Sequence, residues 1–175
     1  MSILTRDEIL AEIEKGGICI EPFDEQSVGP ASLDLRLGNV FRVFKKVHKV
    51  MPVRADSPRD LYKELTEKVT VDEHLLLMPG ETVLGMTLEK ITLPPDISGW
   101  LEGRSTFARL GLLVHISASF MQPGIANKQV LEMTNFGPAP LAIYPGTAVC
   151  QFIFERSAGK ARYEGGYRDQ DENTF

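Results

Sequence analysis

The chain has 175 residues, 43% of them hydrophobic and 25% charged, with a formal charge of −5; this is the make-up of one globular domain and excludes a disordered or fibrous chain. Fifteen glycines and eleven prolines favour many turns and short strands over a helical bundle. The acidic balance supplies no field for non-specific nucleic-acid binding, so no nucleic-acid partner is expected.

Cys19 and Cys150 are too few and too far apart for a disulfide framework and form no C-x-x-C pair, which points to a reducing, cytoplasmic setting. The N-terminal stretch carries Asp7, Glu8, Glu12 and Glu14, and no apolar run approaches about 18 residues, so neither export nor membrane insertion is expected.

In chain order, Thr5 and Glu8 have the capping-box spacing, and Ile9, Leu10 and Ile13 share a face before Gly16-Gly17, which predicts a short amphipathic helix over residues 5–15. Thereafter Leu33, Leu35 and Leu37 alternate with Asp34 and Arg36, and Val40-Phe41-Arg42-Val43-Phe44 continues as a strand. The polar stretch Met51 to Lys68 contains Pro52 and Pro58. It reads as an excursion with one helical turn after Ser57-Pro58 and no chemistry of its own.

Short apolar runs follow at Leu75–Met78, Thr82–Leu88, Leu112–Ile116, Val130–Thr134, Leu141–Tyr144 and Ala148–Phe154, with Pro and Gly pairs between them. Such spacing predicts an all-β sandwich or barrel in one domain spanning 1–175. The tail from Ser157 is glycine-rich and charged and, taken alone, reads as disordered.

Zinc-dependent deamination needs an H-x-E and a P-C-x-x-C, and neither occurs, so no zinc site is expected. His48 lies among lysines, which reads as a solvated basic face; for His115 a satisfied buried ring and a functional one remain open. The densest polar cluster is Glu102-Gly-Arg104-Ser105-Thr106-Phe-Ala-Arg109. Arginine forks and hydroxyls at a turn suit a polyphosphate, and they equally suit a charged surface turn. Glu132 interrupts an apolar run. If it faces inward it is a candidate proton carrier, with Arg109 as its counter-ion.

The run from Glu102 to His115, together with Ala118, Pro123-Gly124, Val130-Leu131-Glu132, Asn135, Pro145-Gly146 and Gln151, closely resembles the dCTP deaminase family of the dUTPase-like superfamily. Pro30 to Gly38 and Pro79-Gly80-Glu81 to Glu89 match as well. The resemblance implies a distorted jelly-roll β-barrel of dUTPase type with a short N-terminal helix. It also implies a homotrimer with sites at subunit interfaces, and a magnesium ion carried on the nucleotide triphosphate rather than by protein side chains.

Carried over residue by residue, the resemblance makes Glu132 the catalytic glutamate, Arg109 its neighbour, and Arg104, Ser105 and Thr106 the triphosphate turn, with Ser105 also near the chemistry. Ala118 helps hold the water and Val130 lies beside the base; Gln151, Tyr163 and Gln170 close over the phosphates, so that residues from about 157 to 175 become a lid. The implied activity is zinc-independent deamination of dCTP to dUTP and ammonia, which supplies dUTP for dUMP and thymidylate synthesis. Glu132 would shuttle protons between water, N3 and the leaving ammonia.

Two positions depart from the family pattern. Gln122 stands where an aspartate usually binds deoxyribose, or activates water in dUTPases, and an amide is no general base. Glu164-Gly165-Gly166-Tyr167 stands where a phosphate-binding lysine is common, with Lys160 and Arg168 nearby in sequence. Three readings follow: a deaminase first, then a dUTP diphosphatase or bifunctional dUMP-forming deaminase, then a nucleotide-binding protein without catalysis.

Overall fold

Leu33, Leu35 and Leu37 are fully buried while Asp34 and Arg36 between them are not, so this strand presents one face to a core and the other to polar surroundings. The computed structural model describes residues 2–115 and 117–175. In chain order the elements are β1 (Ser2–Ile3), α1 (Arg6–Glu14), β2 (Cys19–Glu21), β3 (Leu33–Phe44), α2 (Tyr62–Leu65), β4 (Thr66–Thr70), β5 (Leu75–Leu77), β6 (Thr82–Thr92), β7 (Ile97–Gly103), α3 (Ser105–Ala108), β8 (Leu112–Val114), β9 (Phe120–Met121), β10 (Ala126–Asn135), β11 (Leu141–Ile143) and β12 (Ala148–Arg156).

The principal sheet runs β8-β10-β6-β3-β12-β7-β9, with β1 on β12, β2 on β6 and β4 on β3, while β5 and β11 pair separately. All named pairings are antiparallel. The sheet curls into a half-barrel, so the expected all-β class holds. Its concave face is filled by β3 leucines, Ile91, Leu101, Leu131, Met133, Phe152 and Phe154. The rings of Phe152 and Phe154 pack with centroids 4.6 Å apart, each contributing about 2 kcal/mol through burial. Gly99 is required beneath them, since a Cβ there would meet Phe152 Cε1 at 2.1 Å.

Helix α1 begins and ends one residue inside the predicted span, and Ile9 is its buried anchor. The capping box is not made: Thr5 has the extended N-cap backbone, but its side chain accepts no cap hydrogen bond. The excursion's helical turn falls at Tyr62–Leu65, later than Ser57-Pro58, and its last residues already belong to β4. Strands β1, β2, β4, β7 and β9 are not among those the sequence predicts; β7 hides behind Pro94-Pro95 and runs into the Glu102–Arg109 block. The predicted run Leu112–Ile116 ends as a strand at Val114, and Ile116 lies outside the described residues.

Candidate active site

β10 is the strand on which the site is built. Its register places Glu132 opposite Leu84 of β6 on one side. On the other side β8 pairs with Met133, Thr134 and Asn135, and His115 N–H extends that ladder by donating to Glu132 O at 2.8 Å. Further back along this edge the tail takes over: Ala126 N–H donates to Arg168 O at 2.9 Å and Lys128 N–H to Gln170 O at 3.0 Å. Between β8 and the tail the edge opens into a cavity of about 560 Å³, within the range of small-ligand sites.

Of the residues expected at the site, Glu132, Ala118, Gln122, Val130, Tyr163 and Gln170 line this cavity. Arg104, Ser105, Thr106, Arg109 and Gln151 do not. Arg104 precedes α3, reaches Asp34 Oδ2 at 3.2 Å and donates to Ala148 O at 3.0 Å. Gln151 lies beside it on β12, its amide 3.4 Å from Gly103 O, and Ser105, Thr106 and Arg109 are exposed. Within one chain the structure therefore forms two groups, a Glu132 cavity and an Arg104 turn.

The expected Arg109–Glu132 pairing is absent within the chain; the partner of Glu132 is His115. Nδ1 of His115 lies 2.8 Å from Glu132 Oε2. The other ring nitrogen, Nε2, lies 3.0 Å from Ala118 O. A carbonyl only accepts, so Nε2 donates there, and a proton held on Nδ1 or Oε2 makes the second contact attractive. Burial pushes the Glu132 carboxyl up, but the hydrogen bond and charge of His115 outweigh it and hold it below the ordinary carboxylate value.

His115 has φ +53, a left-handed backbone that costs a non-glycine residue on the order of 1–3 kcal/mol and is found preferentially at functional sites. The α3–β8 connection that delivers it is tight. Gly111, at φ +91, packs against Gly137, where a Cβ would come within 2.4 Å of backbone.

The sequence reading missed several wall residues. Phe44, Tyr62, Asn127, Gln129 and Tyr167 also line the cavity. Gln129 sits at an irregularity of the β6–β10 ladder, its N–H on Thr87 Oγ1 at 2.9 Å and its amide donating to Asn127 Oδ1 at 2.5 Å. Such bulges re-aim side chains beside functional sites. Tyr62 comes from the Met51–Lys68 excursion, which thereby contributes to the cavity wall. Among the described residues no group of three or more His, Cys, Asp or Glu is placed to hold a metal.

A sequence profile described as dCTP deaminase-like matches residues 3–157. The chain belongs to the dCTP deaminase-like family. A protein of Nocardioides sp. named "dCTP deaminase, dUMP-forming" is 39% identical over 177 residues, covering 96% of this chain and 91% of its own. A namesake from Methanopyrus kandleri is 40% identical and covers 92% and 85%; a "dCTP deaminase" of Marinomonas sp. is 39% identical and covers 97% and 94%. The crystal structure of 2'-deoxycytidine 5'-triphosphate deaminase from Agrobacterium tumefaciens superposes with a TM-score of 0.69 at 24% identity, over 89% of this chain and 48% of that one. That likeness establishes the shared fold, and the chain spans about half the length of that structure's chain. The family match ends where the tail begins, and no described helix is long and apolar enough to cross a membrane.

Proposed function

We propose that the protein hydrolytically deaminates dCTP, with Glu132 as the proton carrier. The observation that carries this is Glu132 itself: a carboxylate with one oxygen out of water, paired to His115, in the wall of a largely apolar cavity of nucleoside size. The names of the relatives support the substrate.

In this reading water adds to C4 of the cytosine ring while N3 takes up a proton, and collapse of the tetrahedral carbon expels ammonia and leaves a C4 carbonyl. Glu132 removes the water proton, delivers it to N3 and returns one to the departing nitrogen. Ala118 O, already fixed by the His115 ring, helps to position the water, and Val130 supports the base. Gln122 faces the sugar, and Tyr163 and Gln170 of the tail cover the cavity mouth. Arg104, Ser105, Thr106 and Gln151 receive the triphosphate, and magnesium arrives bound to it as part of the substrate.

Because one chain keeps these two groups apart, the complete site is formed between copies, with Arg109 and Ser105 reaching Glu132 from a neighbour in a homotrimer. Residues 1–175 act as one unit with the tail as its cover. With both cysteines free, the protein works in a reducing, cytoplasmic compartment. No zinc and no nucleic acid enter this reading.

A second reading is favoured by the names of the relatives: continued hydrolysis of dUTP to dUMP and pyrophosphate. Gln122 argues against a carboxylate-activated water for that step. Incubation with dCTP and magnesium, assayed separately for ammonia and pyrophosphate, decides. Ammonia alone gives the dUTP-forming enzyme, ammonia with pyrophosphate the dUMP-forming one, and pyrophosphate alone a triphosphate-cleaving enzyme. Neither product, from protein that binds dCTP, leaves a nucleotide-binding protein.

A further inference from the structure

Arg42 breaks the apolar run of β3 as Glu132 breaks that of β10. The residue is 9% exposed, and among the described residues no Asp or Glu side chain lies within ion-pair distance of it. A buried cation is costly unless other groups satisfy it. Four contacts do so here. Nη1 donates to Thr66 Oγ1 at 3.2 Å, Nη2 donates to Phe175 O at 3.3 Å, and the guanidinium carbon lies 5.6 Å from the ring centres of both Tyr62 and Phe175. Two of the four come from Phe175, and Nε has no partner even here, so the cation keeps only half of these contacts when the tail leaves.

The rest of the docking site is built around the same point. The Phe175 side chain is 2% exposed, packed on Leu84 and Met86 of β6 with Val40, Tyr62 and Val130 around it. Ahead of it Asp171 shapes a turn by accepting from Asn173 N–H at 2.9 Å and Thr174 N–H at 3.0 Å. Lys63 donates to Thr174 O at 2.8 Å, Lys68 to Glu172 O, and Lys128 pairs with Glu172 Oε1 at 2.5 Å. Tyr167 donates its hydroxyl to Arg59 O, and Asn127 donates its amide to Tyr167 O at 2.6 Å. Tyr62, Lys63, Thr66, Lys68 and Arg59 all belong to the Met51–Lys68 excursion.

We propose that Arg42 is a positioning residue that fastens the tail across the Glu132 cavity in the same chain, and that the excursion is the seat into which Phe175 docks. The cavity is then covered before any nucleotide arrives, and substrate entry waits on release of this latch; that consequence alone rests on the reading of the cavity as the nucleotide site. Arg42 touches no reacting atom. It acts through the placement of Tyr163, Tyr167 and Gln170.

The test reads the latch directly, by hydrogen exchange on the full chain without nucleotide. The amides of Ala126 and Lys128 report docking, because each donates to a backbone carbonyl of the tail. In Arg42→Met, which keeps bulk and removes the cation, these two amides exchange at least about tenfold faster while the β6–β10 ladder keeps its protection. Phe175→Ala gives the same pattern and leaves the barrel interior untouched, so it decides alone if Arg42→Met loses ladder protection as well. Arg42→Lys, with the charge but not the fork, falls between. Unchanged exchange at Ala126 and Lys128 in Phe175→Ala overturns the proposal, whatever the chain does with dCTP; absence of deamination with faster exchange overturns only the functional reading.

Discussion

His115 Nδ1 and Glu132 Oε2 are 2.8 Å apart, and the contact follows from register. His115 is the first residue beyond β8, with φ +53 and its N–H still bonded to Glu132 O, so its ring meets the side chain of the β10 residue its backbone pairs with. Nε2 is occupied by Ala118 O. The ring is therefore fixed between the carboxylate and a backbone carbonyl, in the wall of the cavity.

This fixes an expectation for pH. Burial alone would raise the Glu132 carboxyl, and the His115 hydrogen bond and charge reverse that, so its folded value lies below the ordinary one. A lowered carboxylate contributes stability above its unfolded value and loses it as pH falls through the folded value. The base form needed to activate water likewise persists to lower pH than an ordinary glutamate would allow. His115→Gln leaves burial as the main influence, so the acid limb of kcat/KM moves to higher pH. An acid limb in the same place in both proteins removes His115 from the control of Glu132.

Glu132→Gln keeps size and reach but removes the basic oxygen, so turnover falls by the ~10²–10⁴ that loss of general acid–base catalysis costs. Affinity for dCTP, measured by calorimetry on the same protein, stays near the native value. Arg104→Ala does the opposite, weakening binding through lost charge-assisted hydrogen bonds with a smaller effect on kcat. A folded Glu132→Gln that releases ammonia at the native rate excludes the residue.

Strand periodicity and turn chemistry sufficed for the all-β class and for β3, β6, β10 and β12, because β3 and β10 alternate buried and less buried residues along much of their length and β6 and β12 carry continuous apolar stretches. They did not reveal β1, β2, β4, β7 or β9, which are short, or polar, or lie beside prolines, and are held by neighbours rather than by their own pattern. At the site, Glu132 was legible because a carboxylate in an apolar run demands a partner. Arg42 in Val40-Phe41-Arg42-Val43-Phe44 posed the same demand. Its partner is Phe175, 133 residues away, and nothing local in the sequence connects them. The tail read as disordered for the same reason: its order comes from lysines of the excursion and a free edge of β10, none of which its own composition contains.

Gln122 lines the cavity where a pure acceptor is usual in the family, and an amide also donates. An amide can donate to the extra ribose hydroxyl as well as accept from it, which gives that hydroxyl one more way to be paired, so discrimination of dCTP from CTP by kcat/KM is weaker than is usual in the family, and Gln122→Asp sharpens it. Strong native discrimination that Gln122→Asp leaves unchanged refutes this role.

The separation of the Glu132 cavity from the Arg104–Arg109 turn bears on assembly. No residue of the turn lines the cavity within one chain, yet the proposed function needs both groups on one nucleotide. Closed cyclic assembly joins such half-sites, each copy giving its turn to the next. Light scattering then gives three times 19.5 kDa, and a stricter test is complementation. Glu132→Gln and Arg109→Ala proteins are each inactive as pure assemblies. Dissociated and reassembled together at equal amounts, about a quarter of their interfaces by random mixing carry a native Glu132 facing a native Arg109, and activity returns in that proportion. A monomer in solution, or a mixture as inactive as its components, places the whole site within one chain and overturns the shared arrangement.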